Sequence, residues 1–437
     1  MNGIYTKLSE FFNGKSVLIL GFGREGRSTL SLLKKLGNCD ITIADRNDVS
    51  CPETEGIEVI SGEHYLDRIG EFDIIMKAPG IALFNDVSDD VKARITSQTD
   101  LLLRFRENKI IGITGTKGKS TTSSLIYHIL TRCGKDAVLI GNIGVPPLDC
   151  IGELTEDTII VCEMSCHQLE YVKASPDIAI YLNLFEEHLD HYVDFDAYRL
   201  AKENIYKYQR PGNKLIINEE LLPADTAADI ITASPVHCIS TIHVEGDTLM
   251  IGGSPIDVKT KLLGRHNLYN IGIAIWAGYL CYADYDKMLE AIASFDGLKH
   301  RLEKVGTVNG ADYINDSIST CPSTAIAAVH AFDKVDTIII GGMDRGIDYT
   351  ELVDFLNGSD IENVILLPDS GHKIMPQLDG TKRSIYKAAD LADAVAHAKQ
   401  VTKIRCVLSP AAASYGFYKN FEERGEHFRS LVLGNTP

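Results

Sequence analysis

The sequence predicts an α/β protein built as three domains, each around an open and mostly parallel sheet. Three observations carry that class. Two glycine-rich turns, at 21–26 and 115–118, each stand between an apolar strand and a helix, and beyond residue 298 short apolar strands alternate with helical segments. The length agrees, because 437 residues exceed what one ordinary core organises.

In the first domain, residues 1–99, a strand at 16–20 leads into Gly21-Phe22-Gly23-Arg24-Glu25-Gly26 and a helix that runs through Leu36. A second strand at 41–44 ends at Asp45. This is the β-α-β pattern that rests a diphosphate on a helix N-terminus, with an acid placed to bond a ribose hydroxyl. It suits NAD, and equally any nucleotide diphosphate, a UDP-sugar included. Arg24 and Glu25 crowd the point of diphosphate approach, which weighs against NAD. A strand at 72–76 then runs into Ala78-Pro79-Gly80, a turn at a strand's C-terminal end, where α/β ligands bind.

The second domain, residues 100–297, carries the run Ile110-Ile111-Gly112-Ile113-Thr114-Gly115-Thr116-Lys117-Gly118-Lys119-Ser120-Thr121. Glycines let the backbone N–H groups turn toward an anion, and the following helix adds its dipole. Lys119 is placed to reach the β/γ-phosphates of ATP and Ser120 to offer its hydroxyl to Mg²⁺. The match falls short of the full G-x-x-x-x-G-K-[ST] pattern because the glycine before Gly118 is Gly115. Strands follow at 137–140, before the turn at 141–147, and at 158–162, before Glu163. A carboxylate at the end of a buried strand is a natural metal ligand facing a phosphate loop, although a helix-capping acid would look the same. A strand at 178–184 precedes His188, Asp190 and His191, for which structural hydrogen bonding competes with metal binding, since Mg²⁺ prefers oxygen.

The third domain, residues 298–437, reads as strands at 313–315, 337–340, 364–367 and 406–408 alternating with helices at 325–330, 352–356, 391–400 and 417–431. The net charge of −17 excludes a general nucleic-acid or anionic-membrane binder, both of which need a basic field. Ten scattered cysteines without a C-x-x-C pair, and no signal or long apolar span, lead us to expect a cytoplasmic protein with reduced thiols.

Several residue groups, in this order, resemble the Mur ligases. They are Gly115 to Thr121, Glu163 with Ser165 and Gln168-Leu169-Glu170, Asn183, Glu186 with His188-Leu189-Asp190, and Tyr198-Arg199-Leu200-Ala201-Lys202. His266-Asn267 with Asn270, His300-Arg301 and Asn315-Asp316-Ser317 continue the series, and Leu408 to Gly425 is similar to the glutamate-adding branch. The likeness spans nearly the whole chain. It implies a UDP-sugar-binding first domain, a central P-loop ATPase domain, and a third domain binding ATP and glutamate. The implied reaction is peptidoglycan-precursor synthesis: ATP activates UDP-N-acetylmuramoyl-L-alanine as an acyl phosphate, and glutamate displaces the phosphate to give an amide.

The resemblance also implies roles for single residues. Lys119, Glu163, His188 and Lys202 would be catalytic, with one Mg²⁺ on Ser120 and Glu163. A second Mg²⁺ would sit on His188 and on a carbamylated Lys202, since an ammonium cannot ligate a cation. Gly115, Thr116, Lys117, Gly118, Lys119, Ser120, Thr121, Asn270, Arg301 and Asp316 would hold ATP. Gly23, Arg24, Glu25, Asp45, Arg46, Gly80, Asn142 and His188 would hold the UDP-substrate, and Thr320, Arg345, Ser414 and Phe421 the glutamate. Arg345 suits a bidentate grip on the side-chain carboxylate. A monomer is expected, with no nucleic-acid or membrane partner.

Two departures qualify this picture. Ile318-Ser319-Thr320-Cys321-Pro322 stands where many relatives carry K-A-T-N, and some relatives without that lysine use L-glutamate. D-glutamate is the expected hand and L-glutamate the alternative. Asp45-Arg46-Asn47 stands where relatives often place a Thr-Arg pair. A folylpolyglutamate-synthase-like ligase would share the phosphate loop but begin near it, whereas here about a hundred residues with their own G-x-G-x-x-G precede it.

Overall fold

The computed structural model describes residues 3–83, 87–142, 145–186, 191–236, 238–262 and 264–434. The chain folds into two compact units, Met1–Thr260 with Arg265–Phe295, and Lys261–Gly264 with Asp296–Pro437. Three sheets organise them, two in the first unit and one in the second.

The first sheet has strands β1 (Ser16–Leu20), β2 (Asp40–Asp45), β3 (Glu58–Ser61), β4 (Ile74–Lys77) and β5 (Ile95–Thr96) in the order β3-β2-β1-β4-β5, all parallel. Helices α1 (Gly3–Phe12), α2 (Arg24–Leu36), α3 (Asp89–Arg94) and α4 (Gln98–Phe105) accompany it. The turn between β1 and α2 requires glycine. A Cβ on Gly26 would lie 2.2 Å from the Gly21 carbonyl oxygen, and Gly21 itself has φ +92°. Strand β4 begins at Ile74 rather than at Phe72, because Asp73 uses its N–H and carboxylate to bind the start of β1 at Ser16.

The second sheet is assembled from β6 (Ile110–Thr114), β7 (Ala137–Gly141), β8 (Ile159–Glu163), β9 (Ile178–Tyr181), β10 (Lys214–Asn218), β11 (Asp229–Ser234), β12 (Ile242–Glu245), β13 (Thr248–Ile251) and β14 (Ser254–Ile256). Its order is β14-β13-β12-β11-β10-β9-β6-β8-β7, parallel from β7 to β12 and antiparallel through the last two pairs. Helices α5 (Lys119–Arg132), α6 (Cys166–Leu169), α7 (Phe195–Lys207), α8 (Arg265–Leu280) and α9 (Tyr285–Ser294) flank it. The first two sheets share one apolar core, which runs from Ile4, Leu8 and Phe12 through Val17 and Ile19 to Ile110, Ile160 and Leu215. That shared burial is why they form a single unit.

In the second unit, β15 (Glu303–Val308), β16 (Ala311–Asn315), β17 (Thr337–Gly342), β18 (Asn363–Asp369), β19 (Ser384–Lys387) and β20 (Arg405–Leu408) lie in the order β15-β16-β20-β17-β18-β19, with only β15 antiparallel. Helices α10 (Pro322–His330), α11 (Thr350–Gly358), α12 (Ser370–Ile374), α13 (Leu391–Val401) and α14 (Phe421–Leu433) cover both faces. Ile339 and Ile365 pack with Leu391, Phe428 and Val432 on one side; Ile338, Ile340 and Val364 pack with Leu352 and Leu356 on the other. The alternation is the two-residue period of a sheet buried on both faces.

Candidate active site

The phosphate loop follows β6, in the middle of the parallel part of the second sheet. Gly118 caps α5 at φ +85°, and Gly115 has φ +154°, with Leu182 Cβ 3.0 Å from where a Cβ would stand. Lys119 Nζ donates to the carbonyls of Gly115 (2.8 Å) and Thr116 (2.9 Å), so its ammonium is held against the loop it serves. Thr116 Oγ1 accepts from the N–H of Phe185 and pairs with the Tyr198 hydroxyl at 2.9 Å. Asn270, from α8, places its amide oxygen 3.1 Å from where a Gly118 Cβ would be, and donates to Asn267 Oδ1. Lys117 is exposed, Ser120 half-buried and Thr121 buried.

Glu163 ends β8, paired in register with Ile113 of β6 and Gly141 of β7, and is fully buried. Its carboxylate accepts from Asn142 Nδ2 (2.8 Å) and from Ser123 Oγ (3.5 Å), and among the described residues no cationic side chain pairs with it. A buried carboxylate satisfied only by neutral donors fits an oxygen-preferring divalent cation beside the half-buried Ser120. Among the described residues no three or more His, Cys, Asp or Glu gather as a metal cluster. His188 lies outside the described residues. Lys202, from α7, is buried, sits 4.9 Å from the Tyr198 ring centre and donates from Nζ to the Gly115 carbonyl at 2.9 Å.

At the end of the first sheet, Gly23 is exposed and a Cβ there would meet nothing within 4 Å, and the same holds for Gly80. Arg24 donates to the Gly141 carbonyl at 3.4 Å, and Glu25 accepts from Gln168 Nε2 at 2.9 Å. Burial pushes the Glu25 carboxyl up, against the pull of that hydrogen bond and of Arg24 and Lys77. Asp45, expected from sequence to bond a ribose hydroxyl, accepts at Oδ2 from the Phe22 N–H of the β1–α2 turn at 2.7 Å and at Oδ1 from the Asn47 N–H at 2.8 Å. Arg46 is exposed beside it. Lys77, which sequence reasoning passed over, is buried at the end of β4 and pairs with Glu170 at 3.2 Å. Burial alone would raise the Glu170 carboxyl, but the bond from His191 and the Lys77 ammonium hold it below its ordinary value.

The second unit gathers its residues where three adjacent parallel strands end. Asn315, Asp316 and Ser317 leave β16, Arg345 lies exposed after β17, and Ser414 lies buried after β20. Asp316 is buried, accepting from Leu302 N–H (3.2 Å) on Oδ1 and from Ser319 Oγ (2.5 Å) and Ser409 Oγ (2.8 Å) on Oδ2. Burial nevertheless pushes its carboxyl up to about 6. Arg301 keeps a buried Nε without a partner among the described residues. Phe421 and Thr320 are half-buried, and the Phe421 ring stands edge-on to His300 at 6.3 Å.

Arg424 was not among the residues singled out from sequence. It is 2% exposed, and Nε bonds Ser317 Oγ (3.0 Å), Nη2 the Ser317 carbonyl (2.8 Å) and Nη1 the Ala412 carbonyl (3.1 Å). Among the described residues it has no carboxylate partner, and burial pushes it down to about 10. Its sequence signal was its place in the run Leu408 to Gly425, one turn into a helix that otherwise packs small and apolar residues inward.

Residues 113–278 match the family model described as the Mur ligase middle domain. At full length the chain is 32% identical to a UDP-N-acetylmuramoylalanine--D-glutamate ligase of Clostridium botulinum, covering 99% of each. It is 30% identical to the protein of that name from Alkaliphilus metalliredigens, covering 96% of this chain and 98% of the relative. Among solved structures, the UDP-N-acetylmuramate-alanine ligase of Thermotoga maritima aligns with TM-score 0.59 at 20% identity, over 97% of this chain and all of that one. A MurF ligase from the same organism, in complex with ADP, aligns with TM-score 0.58 at 16% identity, over 98% of this chain and 97% of that one. The chain belongs to the Mur ligase family, the ATP-dependent ligases that form amide bonds, and has the family's mixed α/β fold. Its full-length similarity is to the branch named for adding D-glutamate.

Proposed function

We propose that this chain joins D-glutamate to UDP-N-acetylmuramoyl-L-alanine with ATP, giving the amide, ADP and phosphate. The observation that carries this is the end-to-end similarity to relatives named for that reaction, over a chain whose phosphate loop faces a buried Glu163. The alanyl carboxylate oxygen attacks the γ-phosphorus and ADP leaves. The glutamate amine then attacks the acyl carbon, loses a proton, and phosphate departs. A carboxylate is a poor electrophile, so the protein's task is to position the reactants and offset charge on the transferring phosphoryl group.

In this reading the Lys119 ammonium leaves the Gly115 and Thr116 carbonyls for the β/γ-phosphates, and the first turn of α5 supplies N–H donors. Mg²⁺, when bound, screens the phosphate oxygens; Ser120 and Glu163 would hold it, with His188 and a carbamylated Lys202 serving a second ion. Asn270, Arg301 and Asp316 are assigned to ATP. Gly23, Arg24, Glu25, Asp45, Arg46, Gly80 and Asn142 are assigned to the UDP-substrate, and Thr320, Arg345, Ser414 and Phe421 to glutamate. The same reading takes the working protein as a cytoplasmic monomer with domains at 1–99, 100–297 and 298–437. Described helices long and apolar enough to cross a membrane are absent.

The test is phosphate release from ATP that requires both UDP-N-acetylmuramoyl-L-alanine and D-glutamate. A site that pairs a second carboxylate rejects analogues lacking it, so alanine and glutamine should give no turnover. Equal rates with lysine or diaminopimelate would overturn the glutamate assignment, and selective use of L-glutamate would overturn only the handedness.

A further inference from the structure

A phosphate loop works by leaving consecutive backbone N–H groups unspent for the anion. In this loop two of them are already used. Asn183 stands just beyond β9, the strand beside β6, and its side-chain Oδ1 accepts from the N–H of Lys117 at 2.8 Å and of Thr116 at 3.1 Å. Its Nδ2 donates to the Lys117 carbonyl at 3.0 Å, and its own carbonyl accepts from the Thr116 N–H at 3.0 Å. The amide orientation is dictated by these partners, since the oxygen faces two donors and the nitrogen faces an acceptor. Gly115 suits this close approach, because its φ is +154° and a Cβ there would stand 3.0 Å from Leu182 Cβ, next to Asn183.

We propose that Asn183 is a positioning residue that divides the phosphate loop in two. The first half, Thr116 and Lys117, which the resemblance assigned to ATP, has its N–H groups locked to Asn183 and gives none of them to the phosphates. The second half, Gly118 to Thr121 with the α5 N-terminus, is left as the anion cradle. The inference rests on the reading that this loop takes ATP. Two consequences separate it from a merely structural role. Removing the clamp should weaken nucleotide binding more than it slows turnover, because a loosened loop must be reordered by each ATP. Replacing the amide by a carboxylate keeps the acceptors but removes the donor to Lys117 and sets a negative charge beside the phosphates.

The experiment titrates MgATP, MgADP and the UDP-substrate into wild type, Asn183→Ala and Asn183→Asp, with steady-state kinetics and thermal unfolding on each. Asn183→Ala should raise KM for ATP about tenfold with kcat within about threefold, as expected for lost hydrogen bonds. Asn183→Asp should lose more than about 100-fold in nucleotide affinity, and the excess over Asn183→Ala should shrink as salt rises from about 50 to about 500 mM. UDP-substrate affinity should stay within a few-fold in both. If Asn183→Ala fails to fold, the salt dependence of Asn183→Asp against wild type still decides. Variants that bind nucleotide as wild type does, or lose nucleotide and UDP-substrate together, overturn the role of Asn183 alone. A wild type that binds neither MgATP nor MgADP overturns the functional reading and this inference with it.

Discussion

At the scale of single residues, Lys119 and Asp316 give the sharpest tests. Lys119→Ala removes the one loop cation that two carbonyls already orient, so turnover should fall by at least about 1000-fold, the size of effect a lost phosphoryl-charge stabiliser has. UDP-substrate affinity should stay within a few-fold, and a titration showing equal loss of both ligands would refute the assignment. Asp316 carries a raised carboxyl, so its contribution to stability is present below pH 4 and is lost as pH rises through about 6. Asp316→Asn lacks that titration. Urea unfolding from pH 4 to pH 7 should therefore show the variant gaining about 2 kcal/mol relative to wild type, and parallel curves would reject it. The places of Lys119 at the loop and of Glu163 at the end of β8 were legible because both follow from spacing along the chain. Asp45 was legible as the acid that ends β2, whereas its bond to the Phe22 N–H, 23 residues away, was not. Asn183 was legible as a member of the motif series and Arg424 as part of the run Leu408 to Gly425, but no local pattern encodes their partners, which lie 66 and 107 residues away.

At the scale of elements, α14 shows how packing overrides propensity. A Cβ on Gly425 would lie 2.2 Å from His300 Nδ1, which already accepts from Asn315 Nδ2 at 2.9 Å and is buried. Gly425→Ala should gain about 1 kcal/mol of helix propensity and lose about 1–3 kcal/mol to overpacking. The net expectation is a lower melting temperature and a disturbed Asn315-Asp316-Ser317 segment; a variant more stable than wild type would show that His300 moves freely. The same helix was read from sequence as starting at 417. It starts at Phe421 because Asn420 caps it, its side chain accepting from the Glu423 N–H at 2.9 Å, and that asparagine was the available signal. The ladder β10–β14 went unread, since its short strands hide among polar turns, whereas β1, β6 and β8 are continuous apolar runs buried on both faces.

At the scale of the whole molecule, a net charge of −17 opposes three proposed substrates that are all anions. The long-range field should slow their encounter, so association rates for ATP and the UDP-substrate should rise severalfold between about 20 and 200 mM salt. Rates that fall steeply with salt would instead reveal a basic funnel over the loop. The buried Arg424 has a consequence of another kind. It fastens the segment after β16 to the segment after β20, and it belongs to α14, the last helix in chain order. A nascent chain that has emerged through β20 already possesses every strand of all three sheets and the whole phosphate loop, but not this fastening. Synthesis therefore delivers the phosphate loop early and the fastening of the second-unit site last, so a chain halted before Arg424 would carry the loop while the segments after β16 and β20 stay unfastened.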